Sequence, residues 1–85
     1  MSVPIKQMTR NELIDYITPE NDKKYLAIRP NIKFALVGNF KNAKSRYFRD
    51  QIHLITIQPS KERILLAADR WAVEYEEMEV VEVIA

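Results

Sequence analysis

The chain has no cysteine, one glycine and one histidine among its 85 residues. Each shortage excludes something. Without cysteine there is no disulfide framework, no thiol nucleophile and no thiolate metal site, which fits a reducing compartment. The single glycine, Gly38, cannot form the glycine-rich loop that cradles phosphates. His53 stands alone, and no carboxylate sits beside it at metal-ligand spacing, so it reads as a structural or surface histidine. Ser2, Ser45 and Ser60 have no elbow or triad context for nucleophilic catalysis. No apolar run approaches the roughly 18–20 residues of a membrane span. The opening Met1-Ser2-Val3-Pro4-Ile5-Lys6 lacks the apolar core of a signal peptide. The expectation is a soluble cytoplasmic protein that is not an enzyme, with no cofactor, no metal and no membrane partner.

What is present suffices for one folded domain over residues 1–85. Apolar residues make up 47% of the chain, enough for a modest core at this length. The net charge of +1 suggests no partner by itself, but the charges are segregated. Residues 23–49 hold eight basic and no acidic side chains; residues 62–82 hold seven acidic and two basic. The chain is a dipole in sequence.

Residues 1–7 read as an extended, frayed arm. Thr9 can cap a helix through its hydroxyl, and Glu12, three residues on, can answer the Thr9 amide. Met8 and Leu13 occupy the positions of a hydrophobic staple. The helix spans residues 9–17 with its cap, and Pro19 ends it by disfavouring helical geometry at Thr18. Thr18-Pro19-Glu20-Asn21-Asp22 forms a turn or starts a second short helix, with Thr18 as cap and Pro19 in the first position. Tyr25-Leu26-Ala27-Ile28 is a short strand or the end of that helix. Ile32, Phe34 and Leu36 alternate with Lys33, Ala35 and Val37 as a half-buried strand. Gly38-Asn39 suits a tight hairpin turn. Residues 40–50 read as a long polar, basic and aromatic loop, with part of a second strand as the alternative.

The last third decides the fold. Ile52, Leu54 and Thr56 alternate with His53, Ile55 and Ile57, and Pro59 ends that run. Ile64-Leu65-Leu66-Ala67-Ala68 and Trp71-Ala72-Val73-Glu74-Tyr75 read as further strands, broken by Asp69-Arg70. Val80-Val81-Glu82-Val83-Ile84 is a strand by its β-branching. A helix over residues 61–79 stays open as the rival: Ile64, Ala68, Trp71, Tyr75 and Met78 recur at spacings of four and three, and Ser60 can cap it. It would leave Leu66 and Val73 in water.

The run Arg70-Trp71-Ala72-Val73-Glu74-Tyr75-Glu76-Glu77-Met78-Glu79-Val80 resembles the closing segment of small SH3-like β-barrels. There an aromatic- and Val-bearing strand enters a short turn, and a large apolar residue plugs the barrel. Met78 would be that plug, with Val81 and Val83 in the closing strand. The chain departs from the pattern in its one glycine, where tight barrel corners use several. The fold expected is α+β: an N-terminal helix on a small, curved antiparallel sheet closing as an SH3-like barrel, with residues 32–84 mostly strands. The expected core is Leu13, Ile17, Phe34, Leu36, Ile52, Leu54, Ile64, Leu66, Trp71, Val73, Met78 and Val81.

One segment points to a function. In Phe40-Lys41-Asn42-Ala43-Lys44-Ser45-Arg46-Tyr47-Phe48-Arg49, four cations interleave with three aromatics. Cations neutralise phosphates, and exposed aromatics stack on unpaired bases. The candidate nucleic-acid contacts are Lys33, Lys41, Lys44, Arg46 and Arg49, with Tyr47 stacking. The bland alternative is that Phe40 and Phe48 enter the core and the cations only solvate the loop. Glu74, Glu76, Glu77, Glu79 and Glu82 lack calcium-loop spacing. They are either a solvated face or, through Glu74, Glu76, Glu77 and Glu79, the contact of a protein-interaction or inhibitor domain with a basic partner.

Overall fold

The computed structural model describes residues 3–41 and 50–84. In chain order these form strand β1 (Ile5–Thr9), helix α1 (Arg10–Tyr16), helix α2 (Glu20–Ala27), strand β2 (Phe34–Phe40), strand β3 (His53–Gln58), helix α3 (Lys61–Trp71) and strand β4 (Tyr75–Ile84). The class is α+β as expected.

The helix starts are local chemistry. Thr9 Oγ1 accepts from the Glu12 amide at 3.1 Å, and a Glu12 carboxylate oxygen accepts from the Thr9 amide at 3.0 Å, closing the capping box. Ser60 Oγ accepts from the Arg63 amide at 3.2 Å and starts α3. The stretch Ile64–Ala68 is therefore helical, correcting the strand expected there. Ile64 and Ala68, four residues apart, are both buried, while Leu66 is 63% exposed and Val73 76% exposed. Leu66 leaves the expected core because three-to-four spacing, not alternation, decides which α3 side chains point inward, and Val73 leaves it because it lies in the turn between α3 and β4.

The four strands are ordered β1-β4-β2-β3, with β1 parallel to β4 and the other neighbours antiparallel. The sheet is open and mixed, not a closed antiparallel barrel. The segment expected to supply a strand is α3, which lies across one face instead. The frayed arm expected over residues 1–7 is corrected from Ile5 onward: Ile5 to Thr9 run in register with Val80 to Ile84. Gly38-Asn39 is not a hairpin turn but part of β2.

Helices cover both faces. On one, Leu13 and Ile17 from the first helical segment and Leu26 from α2 pack on Ala35, Val37 and Val81. On the other, Ile64 and Ala68 of α3 pack on Leu36 and Val80. Consequently β2 is buried on both sides, with Ala35, Leu36 and Val37 all fully enclosed. The half-buried reading of that strand fails because the second face is covered too.

Two irregularities shape one end of the sheet. A Cβ added to Gly38 would sit 2.9 Å from Met78 Cγ, 3.2 Å from the Glu76 carbonyl oxygen and 3.2 Å from Ile55 Cδ1. Gly38 is thus required by close approach, not by a left-handed turn. Opposite it the β2–β4 register shifts, and Glu77 takes φ 51°, the left-handed region. An L side chain there costs about 1–2 kcal/mol.

Two substitutions should therefore act in opposite directions in urea unfolding. Gly38→Ala should destabilise by about 1–3 kcal/mol through overpacking. Glu77→Gly should stabilise by roughly 0.5–1 kcal/mol, the relief of strain less the entropy of glycine. A neutral Gly38→Ala would mean that Met78 yields freely; a destabilising Glu77→Gly would remove the strain argument.

Candidate binding surface

The expected basic segment begins at the end of β2, and only its root, Phe40 and Lys41, falls within the described residues. Lys44, Arg46, Tyr47 and Arg49, as well as Phe48, lie outside them. At the root, Phe40 stacks on Tyr75 with centroids 4.7 Å apart, and His53 tilts against Phe40 at 4.6 Å. Trp71 meets Tyr75 edge-on at 6.0 Å. Phe40 is thus half-buried in an aromatic stack at the end of the sheet. Burial, with the carboxylates of Glu74 and Asp22 near by, pushes the Tyr75 phenol above its ordinary pKa. His53 Nε2 is buried in this stack without a hydrogen-bond partner.

Lys41 is structural. Its Nζ donates to the Ala72 carbonyl at 2.9 Å, and its amide donates to the Glu74 carbonyl at 2.9 Å. Ala72 is the C-cap of α3, where carbonyls lack intrahelical partners and the dipole favours a cation. The same arrangement recurs at the other helices. Arg10 donates from Nε to the Arg29 carbonyl at 3.1 Å and from its terminal nitrogen to the carbonyls of Leu26 and Ala27, at the end of α2. Lys23 Nζ donates to the Ile14 carbonyl at 2.9 Å, in the last turn of α1. Three cations thus satisfy three helix C-termini, each supplied by a different element.

Lys33 is exposed but remote. It precedes β2, whereas Lys41 follows it, so eight residues of extended chain, about 26 Å, separate them. The structure does not bring Lys33 to the root of the basic segment.

Of two cations that sequence reasoning passed over, Arg70 adjoins Trp71 at that root, and Arg63 lies about 10 Å away along α3, toward Gln58. Arg63 and Arg70 are exposed and, seven residues apart, share one flank of α3. With Leu66, Ala67 and Trp71 they line one side of a shallow groove of about 400 Å³, closed opposite by Thr56 and Gln58. The Arg70 guanidinium lies 6.0 Å from the Trp71 ring centroid. The one ion pair among the described residues joins Lys6 to Glu79, so neither arginine has a carboxylate. The missed signal was the seven-residue spacing, which carries meaning only on a helix.

The expected acidic contact divides. Glu74, Glu76 and Glu77 are exposed. Glu79 is bound within the fold: Lys6 Nζ is 2.7 Å from its carboxylate, and the Tyr16 hydroxyl donates to it. Burial pushes the Glu79 carboxyl up, but those two donors outweigh it and leave the pKa below the ordinary value. The same hydrogen bond, aided by burial, raises the Tyr16 phenol. Glu82 accepts from Gln7 Nε2 at 3.0 Å. Among the described residues no group of three His, Cys, Asp or Glu side chains could hold a metal ion, and no helix is long and apolar enough to cross a membrane.

The lowered Glu79 pKa fixes the sign of one pH effect. The ionised carboxylate stabilises the fold at any pH above its unfolded-state pKa, and this is lost as pH falls through the lower folded-state value. Unfolding free energies measured from neutral pH into the acid should therefore fall less steeply for Glu79→Gln than for the native chain, and Gln should be less stable at neutral pH. Parallel curves would show that the Lys6–Glu79–Tyr16 cluster contributes nothing to the acid limb.

Comparison of the chain with protein-family models, curated proteins and solved structures finds no match in any of the three.

Proposed function

We propose that this chain is a non-catalytic module that binds single-stranded nucleic acid through a surface running from the end of β2 along α3. The observation that carries this reading is the anchoring of Phe40 and Lys41, the root of the basic segment, at the Trp71 end of the arginine-lined groove. Lys41 is tied to Ala72, and Phe40 reaches Trp71 through Tyr75. Arg70, next to Trp71, and Arg63 then extend the cationic surface along α3. The other well-placed cations, Arg10, Lys23 and Lys41, hold helix ends, so Arg63 and Arg70 remain for a ligand. Lys44, Arg46 and Arg49 would add phosphate contacts, and Tyr47 a stacking platform. The barrel analogy adds nothing, since the sheet is open. A second reading, contact with a basic protein, rests on the exposed carboxylates of Glu74, Glu76 and Glu77 and loses Glu79 to its internal partners.

Fluorescence anisotropy with a labelled single-stranded oligonucleotide tests the first reading. Affinity should fall steeply with salt, and the pair Arg63→Ala with Arg70→Ala should weaken it whatever the base sequence. Losing two phosphate contacts should flatten the log–log salt slope by about 1.4. Arg46→Ala with Arg49→Ala should act in the same direction. If no binding occurs at low salt, the reading falls, and recovery of one stoichiometric, nuclease-insensitive partner would favour the acidic surface instead.

A further inference from the structure

The two edges of the sheet are treated differently. At β3, Thr18 covers Ile52 from both sides: its amide donates to the Ile52 carbonyl at 2.9 Å, and its hydroxyl accepts from the Ile52 amide at 3.1 Å. The Asp22 carboxylate accepts from the Leu54 amide at 3.0 Å. Just beyond, between Leu36 and Val37, the β2–β3 register shifts, so the edge is also bulged. These are the devices by which natural sheets stop edge pairing.

The β1 edge has none of them. The Val80 amide donates to the Pro4 carbonyl at 2.8 Å, so Pro4 faces β4. By alternation Lys6 and Met8 face β4 as well, and Val3, Ile5 and Gln7 turn their amides and carbonyls outward. Pro4 therefore does not blunt the edge, because its missing N–H lies on the β4 side. No described side chain bonds the outward backbone groups of Ile5 or Gln7; the first covered amide is that of Thr9, held by Glu12. The outward residues carry no charge, and Ile5 is 41% exposed. Lys6, the residue that could repel a second copy, is paired to Glu79 of its own chain.

This edge is complementary to itself. An antiparallel pairing about a two-fold axis through Ile5 sets Val3 against Gln7 of the other copy, Ile5 against Ile5, and Gln7 against Val3. All three are hydrogen-bonded pairs, the two Ile5 side chains meet on one face, and Lys6 falls opposite Pro4 rather than opposite Lys6. A symmetric homodimer needs one such patch on each copy. We infer that the chain forms a homodimer by antiparallel β1–β1 pairing, joining two four-stranded sheets into one of eight strands. This inference stands independently of the nucleic-acid reading, whose surface lies at the other side of the sheet. The contact is small, so the dimer is a weak, concentration-dependent one.

Sedimentation velocity on the full chain over rising concentration tests it, with a second arm by cross-linking. The native chain should shift toward twice its 10.0 kDa mass in the high-micromolar range. Ile5→Lys should remain monomeric there, with an unchanged melting temperature showing that it is folded. The absence of native cysteine makes a single introduced thiol unambiguous. Hydrogen-bonded antiparallel partners have Cα atoms about 5.5 Å apart, within disulfide reach. Ile5→Cys should thus cross-link to a dimer under mild oxidation, and Lys24→Cys on α2 should not. A native chain that stays monomeric throughout would overturn the inference. So would a dimer unaffected by Ile5→Lys, or equal cross-linking of the two cysteine variants.

Discussion

Burial of β2 on both faces is the constraint from which most of the structure follows. A strand with helices above and below can carry no charged side chain along its middle, and Ala35-Leu36-Val37 obeys this. It must also admit neighbours closely on one face, which is why Gly38 stands where Met78 and Ile55 converge. The strands on either side of β2 relieve the resulting crowding by shifting register, one between Leu36 and Val37 and one opposite Gly38. Glu77, in a left-handed conformation without being glycine, is the visible cost of the second shift.

Short helices laid against a sheet leave carbonyls near the protein surface with no intrahelical partner. Here long basic side chains reach those carbonyls from elsewhere in the fold: Arg10 at α2, Lys23 at α1 and Lys41 at α3. This changes how the charge asymmetry of the chain should be read. A basic run suggests a polyanion as partner, but part of its charge is answered by backbone dipoles. Arg63 and Arg70, isolated among acidic neighbours in the sequence, carry more free positive surface than Lys41 does.

The parts legible in the sequence were those governed by local chemistry. The capping box at Thr9 and Glu12, the helix stop before Pro19 and the closing Val80–Ile84 strand needed only their neighbours. The misread parts depended on partners far away in the chain. Leu66 and Val73 argued against a helix because they would face water, and face water they do. Their hydrophobicity could not reveal that Ile64, Ala68 and Trp71 suffice to seat α3 on the sheet. The arm at residues 5–7 looked frayed because its pairing strand lies 75 residues on. Of the candidate site, only the root of the basic segment falls within the described residues, and the roles of Lys41 and Glu79 depended on Ala72, Lys6 and Tyr16, all distant in sequence.

The parallel pairing of β1 with β4 has a consequence for how the chain is made. Of the four described strands β1 is made first, yet its neighbour in the sheet is β4, the one made last. Until then Val3, Ile5 and Met8 must wait beside a partly assembled layer of helices, and the ladder that fixes them closes the longest loop in the molecule. Folding on the ribosome is therefore delayed for this strand alone, and a stalled or truncated nascent chain would leave it unpaired.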